Sequence, residues 1–184
     1  MVCRLCTSFN FAQVIFMAHP QLSNKAELPQ VDQALSPWQS NIMAGNYAFE
    51  RGALLEARDK YTTAHTLASH LLSQFSQAQT CQSVIAAIEH CCPALVVAAH
   101  NLADTYRAMS QSDQACQWLC DVHITLSHLI EHPCNTIRTV VAHHHHKTYT
   151  ELVQFAKSHS HCPQLIEKIN HTLSYTPDHT ATVH

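Results

Sequence analysis

The chain has 184 residues, of which 46% are hydrophobic, so it is long and apolar enough to bury the core of one domain. Charged residues make up only 12%, and the formal net charge is -3 with histidine neutral, so no basic surface indicates a nucleic-acid partner. The chain contains two glycines, Gly45 and Gly52. Because loops that cradle phosphates need several glycines, nucleotide-binding enzymes of the P-loop and Rossmann classes are excluded.

The cysteines and the N-terminal residues bear on the cellular compartment. The nine cysteines are odd in number and scattered, whereas a secreted disulfide framework is usually shorter and evenly counted. The opening "MVCRLCTSFNFAQVIFMAHPQ" resembles a weak signal peptide that is interrupted by Asn10 and Gln13, and a start at Met17 is an alternative. No uninterrupted apolar run reaches the length of a membrane helix. We expect reduced thiols, a cytoplasmic location and no membrane partner.

Helical spacing of apolar residues begins at Trp38 and continues almost without a break, with no strand-like alternation. The predicted helices span residues 38–51, 53–76, 79–91, 94–110, 112–131, 136–158 and 163–175. Pro93, Pro133 and Pro163 are expected to separate successive helices. Residues 1–36 are expected to form a flexible extension, residues 37–176 a helical domain, and residues 177–184 a disordered tail.

The stretch from Ala44 to Ala68 carries a spacing that is typical of two closely packed helices. Small and aromatic residues alternate along it at Gly45, Phe49, Gly52, Ala57, Tyr61 and Ala64. A small residue at Gly45 lets two helices approach closely, Gly52 permits the tight turn between them, and Ala57 fits where they cross. This pattern resembles the signature of the tetratricopeptide repeat, although Ala48 stands where an aromatic residue is usual and no proline closes the repeat.

A second copy of the pattern follows in "HNLADTYRAMSQSDQACQWLCDVH". Its matching residues are Leu102, Ala103, Tyr106, Ala115, Leu119 and Val122, with Ser110 in place of the turn glycine. Gly45 and Ala103 are 58 residues apart, whereas the repeat period is about 34. A third hairpin, residues 136–175, continues the helical pattern without the signature. The chain is also similar to an uncharacterised bacterial tetratricopeptide-like family. The resemblance implies an all-α fold of antiparallel helical hairpins stacked as a short right-handed superhelix.

The resemblance also implies a concave groove, lined by the first helix of each hairpin, that binds a protein or peptide without catalysis. The positions that fall on or beside the groove are Ile42, Asn46, Phe49, His100, Asn101, Asp104 and Arg107. Such a mixture of apolar, amide and charged groups is suited to an extended peptide. Asp104 and Arg107 are alternatively an ordinary surface pair at i, i+3. Because Ile42 stands where a carboxylate clamp needs a lysine, a C-terminal carboxylate is not the expected ligand.

A metal-binding or metal-sensing function is the alternative from another class. Cys116, Cys120 and His123 lie at i, i+4 and i+7, so they share one helical face, and thiolate with imidazole is a zinc ligand set. The same three residues lie beside a buried stripe, where cysteine packs as a small hydrophobic residue. Both interpretations of this face stay open at this point, and we expect no cofactor other than zinc.

The chain has 17 histidines, and four are consecutive in "VVAHHHHKTY". Since each helical residue turns the side chain by about 100°, only His143 and His146 point in similar directions, and a metal at these two needs ligands from another helix. His144 and His145 lie near the apolar stripe Ile137, Val141, Thr148, Leu152 and Phe155 and are expected to face inward. No pattern of nucleophile and base indicates an enzyme. Self-association as a dimer through the ends of the array is a third interpretation.

Overall fold

The computed structural model describes residues 28–175 and 177, with side chains from residue 33 onward. Residues 1–27, 176 and 178–184 lie outside the described residues, so most of the predicted extension and tail is among them. The described chain forms six helices: α1 (Leu28–Glu50), α2 (Leu54–Gln77), α3 (Gln82–Ala108), α4 (Ser112–Ile130), α5 (Asn135–Ser158) and α6 (Pro163–Leu173).

The predicted all-α class is confirmed, since the described residues contain helices and turns and no strand. Each helix packs against the next one along the chain, as in a series of antiparallel hairpins. In addition, α3 contacts both α1 and α5, so these three helices form one layer. The arrangement is that of stacked helical hairpins, and the face of the α1–α3–α5 layer is where the chain can present a continuous surface.

The small residues of the repeated pattern lie at the buried helix contacts, as predicted. Ala57 and Ala115 are fully buried and Ala103 is 2% exposed. Gly45 is buried against the ring of Tyr61 on α2, and a β-carbon at Gly45 would lie 2.5 Å from Tyr61 Cε1. The absence of a side chain at Gly45 is therefore what lets α1 and the Tyr61 ring come into contact.

The turns of the first two hairpins have the same backbone geometry. Gly52 has a φ of 79° and Ser110 has a φ of 59°. The residue after each turn donates its N–H to the carbonyl five residues earlier, from Ala53 to Ala48 at 2.9 Å and from Gln111 to Tyr106 at 2.8 Å. This is the bonding of a helix end closed by a left-handed residue. Ser110 thus occupies the structural position of the turn glycine, 58 residues after Gly52.

Two predicted helix boundaries are wrong. The segments predicted at 79–91 and 94–110 form the single helix α3, which contains Pro93. Proline lacks the N–H that would bond to Glu89, but α3 packs against α1, α2, α4 and α5, and that packing outweighs one lost hydrogen bond. Helix α1 likewise contains Pro37 and begins at Leu28, ahead of the predicted start at residue 38. Pro133 and Pro163 do separate helices as predicted.

Helix α3 is also the one described helix that is long and apolar enough to cross a membrane by length and composition. Polar residues such as Glu89 and His90 interrupt its apolar sequence, so no uninterrupted apolar run marks it. Half of its most apolar window is buried inside the protein. Its central position among four other helices accounts for this composition, since a helix surrounded by protein is apolar on most of its faces.

The matched turns predict opposite effects of exchanging glycine and serine. Ser110→Gly should raise the free energy of unfolding by about 1 kcal/mol, because glycine adopts a positive φ without the steric penalty of a β-carbon. Gly52→Ser should lower it by about the same amount, since nothing lies within 4 Å of the position of a β-carbon there and only backbone strain changes. Urea denaturation measures both effects. The double variant should be close to the wild type, and a destabilising Ser110→Gly would contradict the assignment.

The contact at Gly45 predicts that the effect of Gly45→Ala on the free energy of unfolding changes sign when Tyr61 is replaced. Gly45→Ala should lower the free energy of unfolding by about 1–3 kcal/mol, because the new methyl group overlaps the Tyr61 ring. In a Tyr61→Ala background the same substitution should stabilise by up to about 1 kcal/mol, since alanine is the better helix former. Thermal unfolding of the four proteins gives both differences. Equal effects of Gly45→Ala in the two backgrounds would show that the ring does not set the constraint.

Candidate functional site

A cleft of about 740 Å³ lies on the α1–α3–α5 layer. All seven residues predicted for the groove line it: Ile42, Asn46, Phe49, His100, Asn101, Asp104 and Arg107. The structure therefore brings together the residues that the two repeat copies placed on one surface. Tyr61 of α2 and Leu119 of α4 also reach the cleft, from the second layer of helices.

Helix α1 supplies an apolar wall. Trp38, Ile42 and Phe49 line the cleft from positions that repeat at helical spacing, and Trp38 and Ile42 are buried. Met43 lines the same wall but is 71% exposed, which is unusual for a large apolar side chain. An exposed, flexible thioether at the rim adapts to differently shaped apolar partners. Helix α1 thus contributes buried apolar side chains to the floor of the cleft and an exposed, flexible apolar side chain to its rim.

Asn46 is held in place by the same tyrosine that contacts Gly45. The Tyr61 hydroxyl donates a hydrogen bond to Asn46 Oδ1 at 2.7 Å. Because Oδ1 accepts this bond, the Asn46 amide presents its N–H groups as the remaining donors at the cleft. Sequence reasoning placed Asn46 in the groove and Tyr61 in the core, and the structure shows that one orients the other.

Helix α3 supplies a polar wall. His100, Asn101, Asp104 and Arg107 line the cleft at i, i+1, i+4 and i+7. Arg107 Nη1 donates to Asp104 Oδ1 at 3.2 Å, so the predicted i, i+3 pair forms and lies in the cleft at the same time. Its contribution to stability is a few tenths of a kcal/mol, as is usual for a partly exposed pair on a helix. Its chemical consequence is a fixed charge pair at one side of the cleft.

Helix α5 supplies a third wall that the sequence did not predict. His146, Lys147, Thr150 and Glu151 line the cleft from adjacent turns of α5. The third hairpin lacks the repeat signature, so its sequence could not be aligned with the first two hairpins to find the positions that face the groove. The available signal was the apolar stripe of α5, whose five predicted residues are all buried, because the cleft residues occupy the face beside it.

The two carboxylates nearest the polar wall influence each other. Burial raises the pKa of Asp104, and the neighbouring Arg107 opposes this change. Burial also raises the pKa of Glu151, and the negative charge of Asp104 adds to the effect. These two groups come from α3 and α5, so packing of the two helices places like charges close together inside the cleft.

His100 lines the cleft from the same helix as Asp104, about one turn before it. Burial, with a smaller contribution from Lys147, lowers its pKa to about 4, so the imidazole is neutral at pH 7. Its Nε2 atom is buried and has no hydrogen-bond partner among the described residues. A buried polar atom without a partner costs about 1–3 kcal/mol, so a ligand that supplies a hydrogen bond here is favoured.

The predicted zinc face is buried on α4. Cys116 and Cys120 are 0% and 2% exposed, and their Sγ atoms lie 3.8 Å apart. The hydrogen bond between the thiols lowers the pKa of Cys120 and raises that of Cys116. Thr172 of α6 is a further hydrogen-bond partner of Cys120. The two cysteines therefore pack in the core between α4 and α6.

His123, the third residue of that face, is turned toward α5. His123 Nδ1 lies 2.8 Å from Thr148 Oγ1, and this hydroxyl already donates to the carbonyl of His145. Thr148 must therefore accept from His123 Nδ1–H, which fixes the neutral tautomer of His123. By the same reasoning Ser127 donates to the His123 carbonyl and accepts from His145 Nε2–H at 3.0 Å.

The two imidazoles so oriented stack with their ring centroids 4.1 Å apart. Burial, together with the neighbouring His145, lowers the pKa of His123 to about 4. The pKa of His145 is lowered by burial as well. The hydrogen bonds and the stacking thus join α4 to α5, and protonating both rings would oppose the stacking because it would place two cations face to face.

The histidine run lies on α5 as its apolar stripe predicted. His144 and His145 are half-buried, whereas His143 and His146 are exposed. His146 lines the cleft, and the ring of His143 lies against that of His144 with centroids 5.2 Å apart. Within residues 28–175 and 177, no group of three or more histidine, cysteine or acidic side chains converges to hold a metal ion. Zinc binding at Cys116, Cys120, His123, His143 or His146 stays a prediction.

The buried histidines predict that acid destabilises the protein. The unfolded chain takes up these protons near pH 6.5, whereas His123, His100 and His144 have pKa values of about 4 in the fold. Stability should therefore be complete above pH 6.5 and decline as the pH falls toward 4. His123 alone should contribute about 1–3 kcal/mol to this loss, which denaturation by urea at several pH values measures.

His123→Asn separates this effect from a general loss of stability. The asparagine amide can replace Nδ1–H as donor to Thr148 and does not titrate. This variant should be less stable at pH 7 but should lose less stability between pH 7 and pH 4. His70→Gln, at an exposed position of α2, is the matched control and should lose as much stability between pH 7 and pH 4 as the wild type. If His123→Asn lost as much stability between pH 7 and pH 4 as the wild type, His123 would be excluded as a source of the acid destabilisation.

Comparison with known proteins identifies the family of this chain. A family model described as "Protein of unknown function (DUF2753)" matches residues 36–182, which is most of the 184-residue chain. No curated protein and no solved structure matches the chain. The matched region begins two residues before Trp38, at the edge of the cleft, and includes all the helices from α2 onward. The chain therefore belongs to the DUF2753 family of proteins of unknown function.

Proposed function

We propose that this protein is a non-enzymatic interaction module of the tetratricopeptide-like kind, which binds a peptide segment of a partner protein in the α1–α3–α5 cleft. The observation that carries the proposal is the composition of the cleft. Its floor is apolar and includes Trp38, Ile42 and Leu119, while its edges carry amides and charges. Binding sites for peptides combine apolar pockets with polar groups that fix the orientation of the main chain.

The polar groups of the cleft are suited to hydrogen bonds with a peptide main chain. Asn46 presents amide N–H groups, and Asn101 from α3 adds a second amide to the lining. Such amides can pair with the N–H and C=O groups of an extended segment. Binding of a peptide is therefore the function that this surface supports best.

An experiment with a matched control uses two exposed apolar residues. Met43 is 71% exposed and lines the cleft, while Leu55 is 62% exposed and does not line it. A library of random linear 12-residue peptides is selected on the immobilised wild-type protein, and the affinities of the selected peptides are measured by fluorescence anisotropy. Met43→Ser should weaken binding about tenfold, which is 1.4 kcal/mol, because it removes an apolar contact at the rim without adding a charge. Leu55→Ser should leave the affinity unchanged.

Both variants should fold, since neither side chain is buried, and circular dichroism checks this. If selected peptides bind Met43→Ser and Leu55→Ser equally well, the peptides contact another surface and the proposed groove function is wrong. A selection that yields no peptide above background would also contradict it.

A further inference from the structure

More negatively charged than positively charged side chains line the cleft. Three carboxylates line it, those of Glu50, Asp104 and Glu151, against the two cations of Arg107 and Lys147. His100 does not compensate for the difference, because its imidazole is neutral at pH 7. The cleft therefore carries an excess of one negative charge among its acidic, lysine and arginine residues.

Of the two cleft carboxylates that form no ion pair among the described residues, Glu50 and Glu151, only Glu151 is partly buried. In the described part of the chain, the ion pairs are Arg51–Glu56, Arg58–Asp59 and Arg107–Asp104, so the one cation paired within the cleft belongs to Asp104. Burial and the negative charge of Asp104 disfavour the ionised form of Glu151, and the positive charge of Arg107 opposes them only in part. A partly buried carboxylate outside any ion pair is stabilised by a ligand that brings a cation.

Two further features restrict what that ligand is. The floor beside the carboxylates is apolar, and Met43 extends the apolar surface to the rim. His100 also lines the cleft, and its buried Nε2 has no hydrogen-bond partner among the described residues. A free metal ion or a small amine would leave the floor and His100 uncontacted. A peptide can contact all three features: its apolar side chains contact the floor, its main chain hydrogen-bonds to His100, and a basic side chain pairs with Glu151.

We infer that the cleft selects peptide segments in which a lysine or arginine is flanked by apolar side chains, with the basic group lying between Glu151 and Asp104. This inference rests on the proposed peptide-binding function and specifies its ligand. The apolar side chains contact Trp38, Ile42 and Met43, and the cationic group supplies the charge that Glu151 lacks. The guanidinium of arginine would form two parallel hydrogen bonds with a carboxylate.

The test compares the peptides selected by three proteins. The same random 12-residue library is selected on the wild type, on Glu151→Gln and on Glu167→Gln, the last at an exposed position of α6 outside the cleft. Glutamine keeps the size of glutamate and removes its charge. Peptides from the wild type and from Glu167→Gln should be enriched in lysine or arginine beside apolar residues. Peptides from Glu151→Gln should lose that enrichment.

A double-mutant cycle then measures the interaction itself. One selected peptide is synthesised with its basic residue and with glutamine in its place, and both are acetylated and amidated to remove terminal charges. The exchange should weaken binding to the wild type about tenfold and binding to Glu151→Gln less than threefold. The tenfold effect should decrease at high salt, since a partly exposed ion pair is screened.

The outcomes separate this inference from the function on which it rests. Peptides that depend on Met43 but show no enrichment in basic residues would overturn the charge selection and leave the groove function standing. Enrichment in acidic residues would overturn it too and would indicate that Arg107 and Lys147 select the ligand. Peptides whose binding ignores Met43 would overturn both.

Discussion

The close contact between Gly45 and the ring of Tyr61 is the constraint on which the cleft depends. It brings α1 against α2 at a distance that no side chain at Gly45 would allow. The same ring then positions Asn46 through its hydroxyl group. Core packing and the geometry of the binding surface are thus joined in one residue, and α1 presents Trp38, Ile42 and Asn46 to the cleft in a fixed orientation.

Much of the fold could be predicted because small residues and turns leave local signals. Gly45, Ala57, Ala103 and Ala115 were assigned to helix contacts from spacing, and Ser110 was matched to a turn glycine although nothing in its chemistry requires a positive φ. Pro93 was misassigned for the opposite reason. Proline lowers helix propensity locally, but continuity of α3 is decided by the helices packed around it, and one sequence does not state those contacts.

The cleft could be predicted on two of its three main walls. The walls from α1 and α3 followed from the repeated signature, whereas α5 carries no signature and its residues Lys147 and Glu151 were missed. The zinc interpretation shows a related limit. Spacing places Cys116, Cys120 and His123 on one face of α4, but it does not reveal that Thr148 and His145 of α5 already contact His123. Contacts between distant segments therefore hold information that the local pattern does not contain.

The continuity of α3 has a consequence for how the molecule opens. In arrays whose units touch only their neighbours, the ends unravel stepwise. This chain follows that pattern, but the helix α3 of the second hairpin, 27 residues long, contacts both of its neighbours, the first hairpin and the third. Loosening either end therefore exposes part of the same apolar helix. Amide hydrogens of α3 should exchange most slowly, and those of α6, a short helix that packs against α4 and α5 at the end of the described chain, should exchange first.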